Sequence, residues 1–340
     1  MTAGQADILP GMPDALAKIP PKAREYQGLT LDEAIAKAHL LVDEALDRAK
    51  PDHVLLAYSG GEDSVILAHL MRERAGMVVH VNTGIAIPDT LAHVRAVTSA
   101  WGSELAEARP DDTYEDMVLG RVVTGTGEPA LLGFPGPALH ATMYQRLKER
   151  ALDAVRRQLV ARRGRRRGRS GEIIQMAGMR WAESQRRFRN ASEFDPDGAV
   201  TWVSPIVWWT GGHMKEYRAR YRCRLDHQHA PHRLCTPGAL PLNEVTQHLH
   251  MSGDCLCGAF AKEGEIWGLE AFYPDAAGRL HELEKAARRQ GNIPRQRCTW
   301  GWGAGLEEGT EGGPMCSRCR PPRPEIAGQE PLFGAEVHPP

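Results

Sequence analysis

The 340-residue chain has no cysteine before residue 223 and no apolar run approaching the length of a bilayer span. The second absence argues against a membrane helix, which needs roughly 20 apolar residues. The opening stretch to Tyr26, rich in Pro, Ala and Lys, lacks the apolar core of a secretory leader, so no membrane association and a cytoplasmic location are expected. In that compartment the 7 cysteines read as metal ligands, cluster ligands or reactive thiols rather than as a disulfide framework. There is also no excess of either charge: 42 Lys and Arg stand against 43 Asp and Glu. A net charge of −1 by itself argues against a polyanionic partner. No internal repeat is present.

What is there describes a globular protein. Apolar residues make up 42% and charged residues 25%, enough for a core and too apolar for a wholly disordered chain. The length suits one large domain or two small ones. The even charge balance conceals a basic middle: His140 to Arg222 holds 19 Lys and Arg against 8 Asp and Glu. Such a local excess is a partner signal that the total hides.

Thr30 and Glu33 form a capping box opening a helix, after an irregular lead-in with four prolines. His53–Tyr58 reads as a buried strand, Ser59–Ser64 as a glycine-bearing turn, Val65–Arg74 as a helix, Met77–Asn82 as a strand and Pro88–Trp101 as a helix. That alternation predicts βαβ units, hence a doubly wound, mainly parallel α/β sheet. A long helix is expected over His140–Val160, a strand over Glu172–Ala177, a turn entering a helix over Gly178–Arg189, and a helix from Gly211 to Tyr221. Beyond Cys223 the texture turns to Cys, His, Gly and Pro with little periodicity. The expected organisation is a lead-in and helix (1–50), a nucleotide-binding domain (51–222) with an Arg-rich insert at 156–170, a Cys/His-rich C-terminal extension (223–320) and a disordered tail (321–340).

Ser59-Gly60-Gly61-Glu62-Asp63-Ser64, between a strand and a helix, carries the clearest chemistry. Glycines let backbone N–H groups converge, and the following helix adds its positive end, which together suit phosphate. Asp63 is placed to hold Mg²⁺ against that phosphate. The plain alternative is a strand-to-helix turn with Ser as a cap.

This segment resembles the PP-loop of the ATP-pyrophosphatase superfamily, and the chain is similar to the phosphoadenosine phosphosulfate (PAPS) reductase-like family within it. Val79–Pro88 resembles the family's second strand and its D-T-G…P turn, with Asn82 where Asp is common. Gly178–Arg187 matches G-x-R-x-x-E-S-x-x-R, and Pro205–Tyr217 resembles the P-I…W-T…Y stretch. The resemblance covers roughly residues 50 to 222. It implies an adenine nucleotide alpha hydrolase-like fold, with ATP over the strand ends and its phosphates in Ser59–Ser64. Arg180 and Arg187 would meet phosphate or sulfate oxygens, Glu183 would orient one of them, and Thr83 and Gly84 would touch ribose or adenine. Taken alone, Gly178–Arg187 also reads as a solvated helix face of ion pairs.

Glu62 stands where the superfamily often has Lys, a loss that Arg180, Arg187 or Lys148 could offset. Nothing matches the C-terminal E-C-G-L-H tail of PAPS reductases, and Asp63 is retained. Both features favour splitting ATP between its α and β phosphates over reducing PAPS.

Cys223, Cys235, Cys255 and Cys257 make one tetrahedral set, and Cys298, Cys316 and Cys319 three more, the last pair in C-x₂-C spacing. Zn²⁺ and an iron–sulfur cluster both fit, as does a structural rather than a functional centre. His227, His229, His232, His248 and His250 could supply a ligand, a proton relay or only polar loop. Trp202, Trp208 and Trp209 could stack on a base or pack a core. The dense Arg stretch, Arg156, Arg157, Arg162, Arg163, Arg165, Arg166, Arg167 and Arg169, suits phosphate-backbone contact with DNA or tRNA, or a solvated linker.

The expected function is an ATP-dependent enzyme of sulfur chemistry that adenylates a substrate and supports sulfur transfer to it, of the DNA phosphorothioation or tRNA thiolation type. A sulfur donor such as a cysteine desulfurase and a homodimer are the accompanying expectations. A true PAPS or adenylylsulfate reductase and a catalytically silent nucleotide- or nucleic-acid-binding subunit are the alternatives.

Overall fold

The computed structural model describes residues 19–161, 172–183, 191–222 and 238–304. Its centre is a 6-stranded sheet in the order β3-β2-β1-β4-β6-β5. The strands are β1 (His53–Ala57), β2 (Met77–Val81), β3 (Leu105–Ala108), β4 (Ile173–Met176), β5 (Phe194–Asp197) and β6 (Val200–Val203). All neighbours run parallel except the β5–β6 hairpin. The expected doubly wound α/β architecture is therefore present, and β3 and the hairpin add strands that the sequence pattern did not mark.

Side-chain alternation sends each strand's residues to two cores. Leu56, Val78, Ile174 and Val203 pack towards α2 (Leu31–Ala49), α3 (Glu62–Met71) and α8 (Gly211–Arg220). Leu55, Val79, Ile173 and Val200 face Leu152 and Leu159 of α7 (Arg150–Ala161). The α2 capping box forms as expected: Glu33 N–H donates to Thr30 Oγ1, and Thr30 N–H donates to Glu33 Oε2 at 2.8 Å.

The chain departs from expectation in several places. The lead-in contains a short helix, α1 (Pro21–Gln27), because Pro21 sits at a first helical turn and Ala23 and Tyr26 are buried. α3 starts at Glu62, inside the glycine turn. The helix expected over 140–160 forms as α6 (His140–Tyr144), a π-helical turn (Gln145–Glu149) and α7.

Residues 238–304 are far more ordered than their texture suggests. They form α9 (Glu244–Leu249), α10 (Glu265–Phe272) and the 17-residue α11 (Pro274–Gln290). Val245, Leu256, Leu269, Leu280, Leu283 and Trp300 share a third core with Ile85, Ile87, Tyr114, Phe134 and Leu147. Tyr114 lies in α5 (Tyr114–Val118), and Ile87 precedes α4 (Pro88–Ala100).

Trp208 and Trp209 are buried, so the core reading holds for both. Trp202 stacks under the Arg156 guanidinium at 4.7 Å. The basic middle is corrected in part. Arg156 is buried, donates to Gln175 Oε1 at 2.7 and 2.9 Å and pairs with Asp153. Arg146 is buried on Asp112 at 2.8 Å, and Arg220 pairs with Asp32. Arg146 and Arg156 satisfy internal partners, because a buried guanidinium must be hydrogen-bonded, whereas Arg220 and Asp32 pair at the surface. Arg162, Arg163, Arg165, Arg166, Arg167 and Arg169 lie outside the described residues.

Candidate nucleotide site

Strand order reverses between β1 and β4: β2 and β3 extend to one side of β1, while β4, β6 and β5 lie on the other. In such sheets a ligand crevice opens at the carboxyl ends of the strands where the order switches. The segments that leave β1 and β4 there are Ser59–Ser64 and Gly178–Arg180, so the two motifs read from the sequence meet at one place.

Their contact dictates glycine. A Cβ on Gly178 would lie 3.0 Å from the backbone of Asp63 and from Ser64 N, an approach that real Cβ atoms rarely make. Gly60 takes φ +79°, and a Cβ there would crowd Thr90, Asn243 and Val94. α3 starts after Gly61 with no side-chain cap on its first amides. An uncapped helix start behind a glycine turn is an anion-binding arrangement. Ser64 Oγ donates to Gly61 O at 2.9 Å and lies 3.0 Å from Ser59 Oγ, which fixes the loop.

Arg180 Nε donates to Asp63 Oδ2 at 2.8 Å, and both side chains are largely covered. Asp63 thus keeps the character of a single hard-oxygen donor at the loop. That suits a Mg²⁺ ion that retains water and takes phosphate oxygens, not a closed metal cage. The Glu62 carboxylate points away to Arg218 of α8, so the acid in the lysine position is neutralised by a partner the sequence analysis did not name. Glu183 belongs to the 3₁₀ turn Trp181–Glu183 after β4. Arg187 lies outside the described residues.

In the loop after β2, Thr83 and Gly84 both contact residues from the far end of the chain. Thr83 is buried and its hydroxyl donates to Asp254 O at 2.8 Å, so it ties down the C-terminal segment. Gly84 is exposed with φ +79°, and its carbonyl accepts from Arg279 Nη2 at 2.7 Å. Asn82, in the position where the family commonly has Asp, donates to Glu107 Oε1 at 2.9 Å. Burial pushes the Glu107 carboxyl up, but hydrogen bonds from Asn82, Arg109 and Arg95 outweigh that and hold it at about 2.

Residues 243–257 reach the site from the far end of the chain. Asn243 Nδ2 donates to Gly60 O at 2.9 Å, while its Oδ1 accepts from Val245 N. Ser252 packs on Gly61, and Thr90 Oγ1 donates to Ser252 O at 2.5 Å. Ser252 Oγ donates to Asp254 Oδ1, and Lys148 Nζ donates to Asp254 Oδ2, each at 2.5 Å. Burial works against both charges, yet Asp254 holds the Lys148 pKa above its ordinary value and Lys148 holds that of Asp254 below. Only Asn243, a residue type favoured as a helix cap, carried a local signal for this role.

The cysteines divide. Cys255 and Cys257 are half-buried and lie against each other. Their contact lowers the Cys257 thiol, with burial opposing, and raises that of Cys255. Cys298 is buried elsewhere, its thiol directed at the carbonyls of Ile293 and Pro294. Cys223, Cys235, Cys316 and Cys319 lie outside the described residues, as do His227, His229 and His232. Among the described residues no group of three or more His, Cys, Asp or Glu side chains is placed to hold a metal ion. The described thiols therefore do not by themselves make a zinc or iron–sulfur centre. His248 and His250 lie on and just after α9, where His248 stacks on Phe272 and meets Tyr273 Oη at 2.9 Å. Also among the described residues, no helix is long and apolar enough to cross a membrane.

Residues 53–125 match the family model of the phosphoadenosine phosphosulfate reductase domain, a span that includes the glycine loop and the turn after β2. Among solved structures, the chain is similar to a phosphoadenylyl-sulfate (PAPS) reductase from Candida auris in a phosphate complex. The identity is 14%, the match covers 65% of this chain and 92% of that one, and the TM-score is 0.37. No curated protein matches the chain.

Proposed function

Because residues 53–125 match the family model of the phosphoadenosine phosphosulfate reductase domain, we propose that the chain is an ATP pyrophosphatase of sulfur chemistry in the PP-loop superfamily. The observation that carries this reading is the closure of Gly178–Arg180 onto Ser59–Ser64 at the sheet's switch point, with Asp63 retained and held by Arg180. Loop amides and the start of α3 receive the phosphates, and Arg180 adds a planar fork suited to an oxyanion. Asp63 is the residue that would hold Mg²⁺, which when bound offsets phosphate charge.

A substrate oxygen attacks the α-phosphorus. The new P–O bond forms as the α–β bridging bond breaks, and its electron pair leaves with pyrophosphate. The loop's contribution is positioning and charge stabilisation. A persulfide sulfur then displaces AMP, its bond to the substrate forming as the bond to AMP breaks, and a second thiol cleaves the resulting disulfide to release the thiolated product. DNA or tRNA is the proposed acceptor, through the Arg-rich stretch 162–169, and a cysteine desulfurase the proposed sulfur source.

Labelled nucleotides separate this reading from reduction of PAPS. Pyrophosphate release from ATP, lost in Asp63→Ala, supports it. Sulfite formation from PAPS without pyrophosphate release from ATP replaces it with a reductase. Neither activity, with nucleotide binding intact, leaves a binding subunit.

A further inference from the structure

The glycine loop holds no lysine, and its two acids already have basic partners, Glu62 with Arg218 and Asp63 with Arg180. A polyphosphate carries more negative charge than loop amides and one arginine balance. A further cation linked to the loop through Asp254 and Ser252 comes from outside the 53–125 match. α7 must descend from the carboxyl edge of the sheet to reach the start of β4, so the π-helical turn ahead of α7 lies at the carboxyl edge. Lys148 sits on that turn, and π-helical turns occur frequently at functional sites.

Its setting is unusual for an ammonium group. The Lys148 side chain is 26% exposed and its partner Asp254 12% exposed. A buried ion pair of this kind is weak evidence for stability, since desolvation offsets much of the attraction. Asp254 is joined to the loop through Ser252, which it accepts from and which packs on Gly61. Beside the pair stands His80, 1% exposed. Its Nδ1 donates to Tyr58 O at 2.8 Å, so in the neutral ring Nε2 is an acceptor. That Nε2 is buried with no hydrogen-bond partner among the described residues. A buried, unpaired acceptor beside a charge pair marks a polar slot built for more than the contacts present.

We propose that Lys148 is the phosphate-binding cation of this site and that Asp254 stores it: an arriving nucleotide phosphate takes the ammonium from Asp254, so that Asp254 competes with the ligand and sets its affinity. The inference rests on the nucleotide reading above and adds a residue and a sign to it. A structural tie between the two side chains would make both substitutions harmful. Storage makes them opposite.

Calorimetric titration of the full chain with ATP, and with adenosine as a probe without phosphate, decides between them. Lys148→Met is expected to weaken ATP binding by about ten-fold or more, the loss of one charge-assisted contact, with adenosine binding unchanged. Lys148→Arg should restore most of it. Asp254→Asn is expected to tighten ATP binding. If Lys148→Met does not fold with Asp254 left unpaired, the double variant Lys148→Met/Asp254→Asn removes both charges and should show the same selective loss of ATP. ATP binding equal to wild type in the folded methionine variant or in the double variant overturns the proposal. Weaker ATP binding in Asp254→Asn overturns it too, in favour of a tie. A wild-type chain that binds adenosine and ATP equally overturns Lys148 alone, whereas one that binds neither overturns the nucleotide reading with it.

Discussion

Two regions of the molecule contribute to one site by opposite means. The first is the glycine loop with the Gly178–Arg180 turn, where backbone meets backbone at Gly178 and one side-chain pair, Arg180 with Asp63, bridges the contact. The second is residues 238–304, where three helices cover a core and send Asn243, Ser252 and Asp254 back to the loop. The first is specified by what a Cβ would obstruct, the second by apolar area. A loop that must leave amides unpaired for an anion contributes little to its own stability. The helical segment supplies packing from outside, and Asn243 and Ser252 are where that support is delivered.

The contrast can be broken at either end. The largest expected effect is in the second region. Trp300→Ala removes a buried indole that donates to Leu256 O at 2.8 Å and contacts Gly258. It should cost about 3–5 kcal/mol of stability, measured by urea unfolding. The loop should lose nucleotide binding only as the fold is lost. Gly178→Ala acts in the reverse order. Its Cβ must displace the backbone of Asp63 and Ser64, at about 1–3 kcal/mol for overpacking. ATP binding measured by calorimetry should fall far more than that figure suggests, since the anion cradle itself shifts.

Asn243→Ala tests the joint between the regions. It removes the bond to Gly60 O and the cap on Val245, at about 1–2 kcal/mol. Both thermal stability and ATP affinity should drop, each modestly. A variant that changes only stability would separate the regions. The smallest effect concerns acid. Glu107 has its carboxyl held at about 2 against an ordinary 4.5. Its ionised form therefore contributes stability that is complete above about 4.5 and lost as pH falls towards about 2. Glu107→Gln should lower the melting temperature at neutral pH, where the ionised form contributes fully, and flatten the profile across that window, so that the variant and wild type converge towards about pH 2.

Legibility followed the same division. Ser59–Ser64 could be found because a glycine turn between strand and helix is a local demand, and Gly178–Arg180 because its motif resembles the family's; that the two meet was not legible. The β1-α3-β2-α4 alternation and the Thr30–Glu33 cap were readable for the same reason. α11 was not, although its spacing is helical, because 3 of its 5 buried apolar positions are alanine and the stripe is faint. The acid partners of the basic middle were not legible for a physical reason. A count of charges along the chain cannot see that Arg146, Arg156, Arg180 and Arg218 each meet an acid, mostly one far away in sequence.

The sequence by itself determined the alternating α/β order and the strand-to-helix glycine turn. These follow from φ, ψ and periodicity, which are properties of neighbours. Only the tertiary structure decided that Glu62 is neutralised by Arg218, that Thr83 ties down Asp254, and that Lys148 pairs with Asp254. Each joins residues more than 100 positions apart, and such partners are chosen by which surfaces pack together.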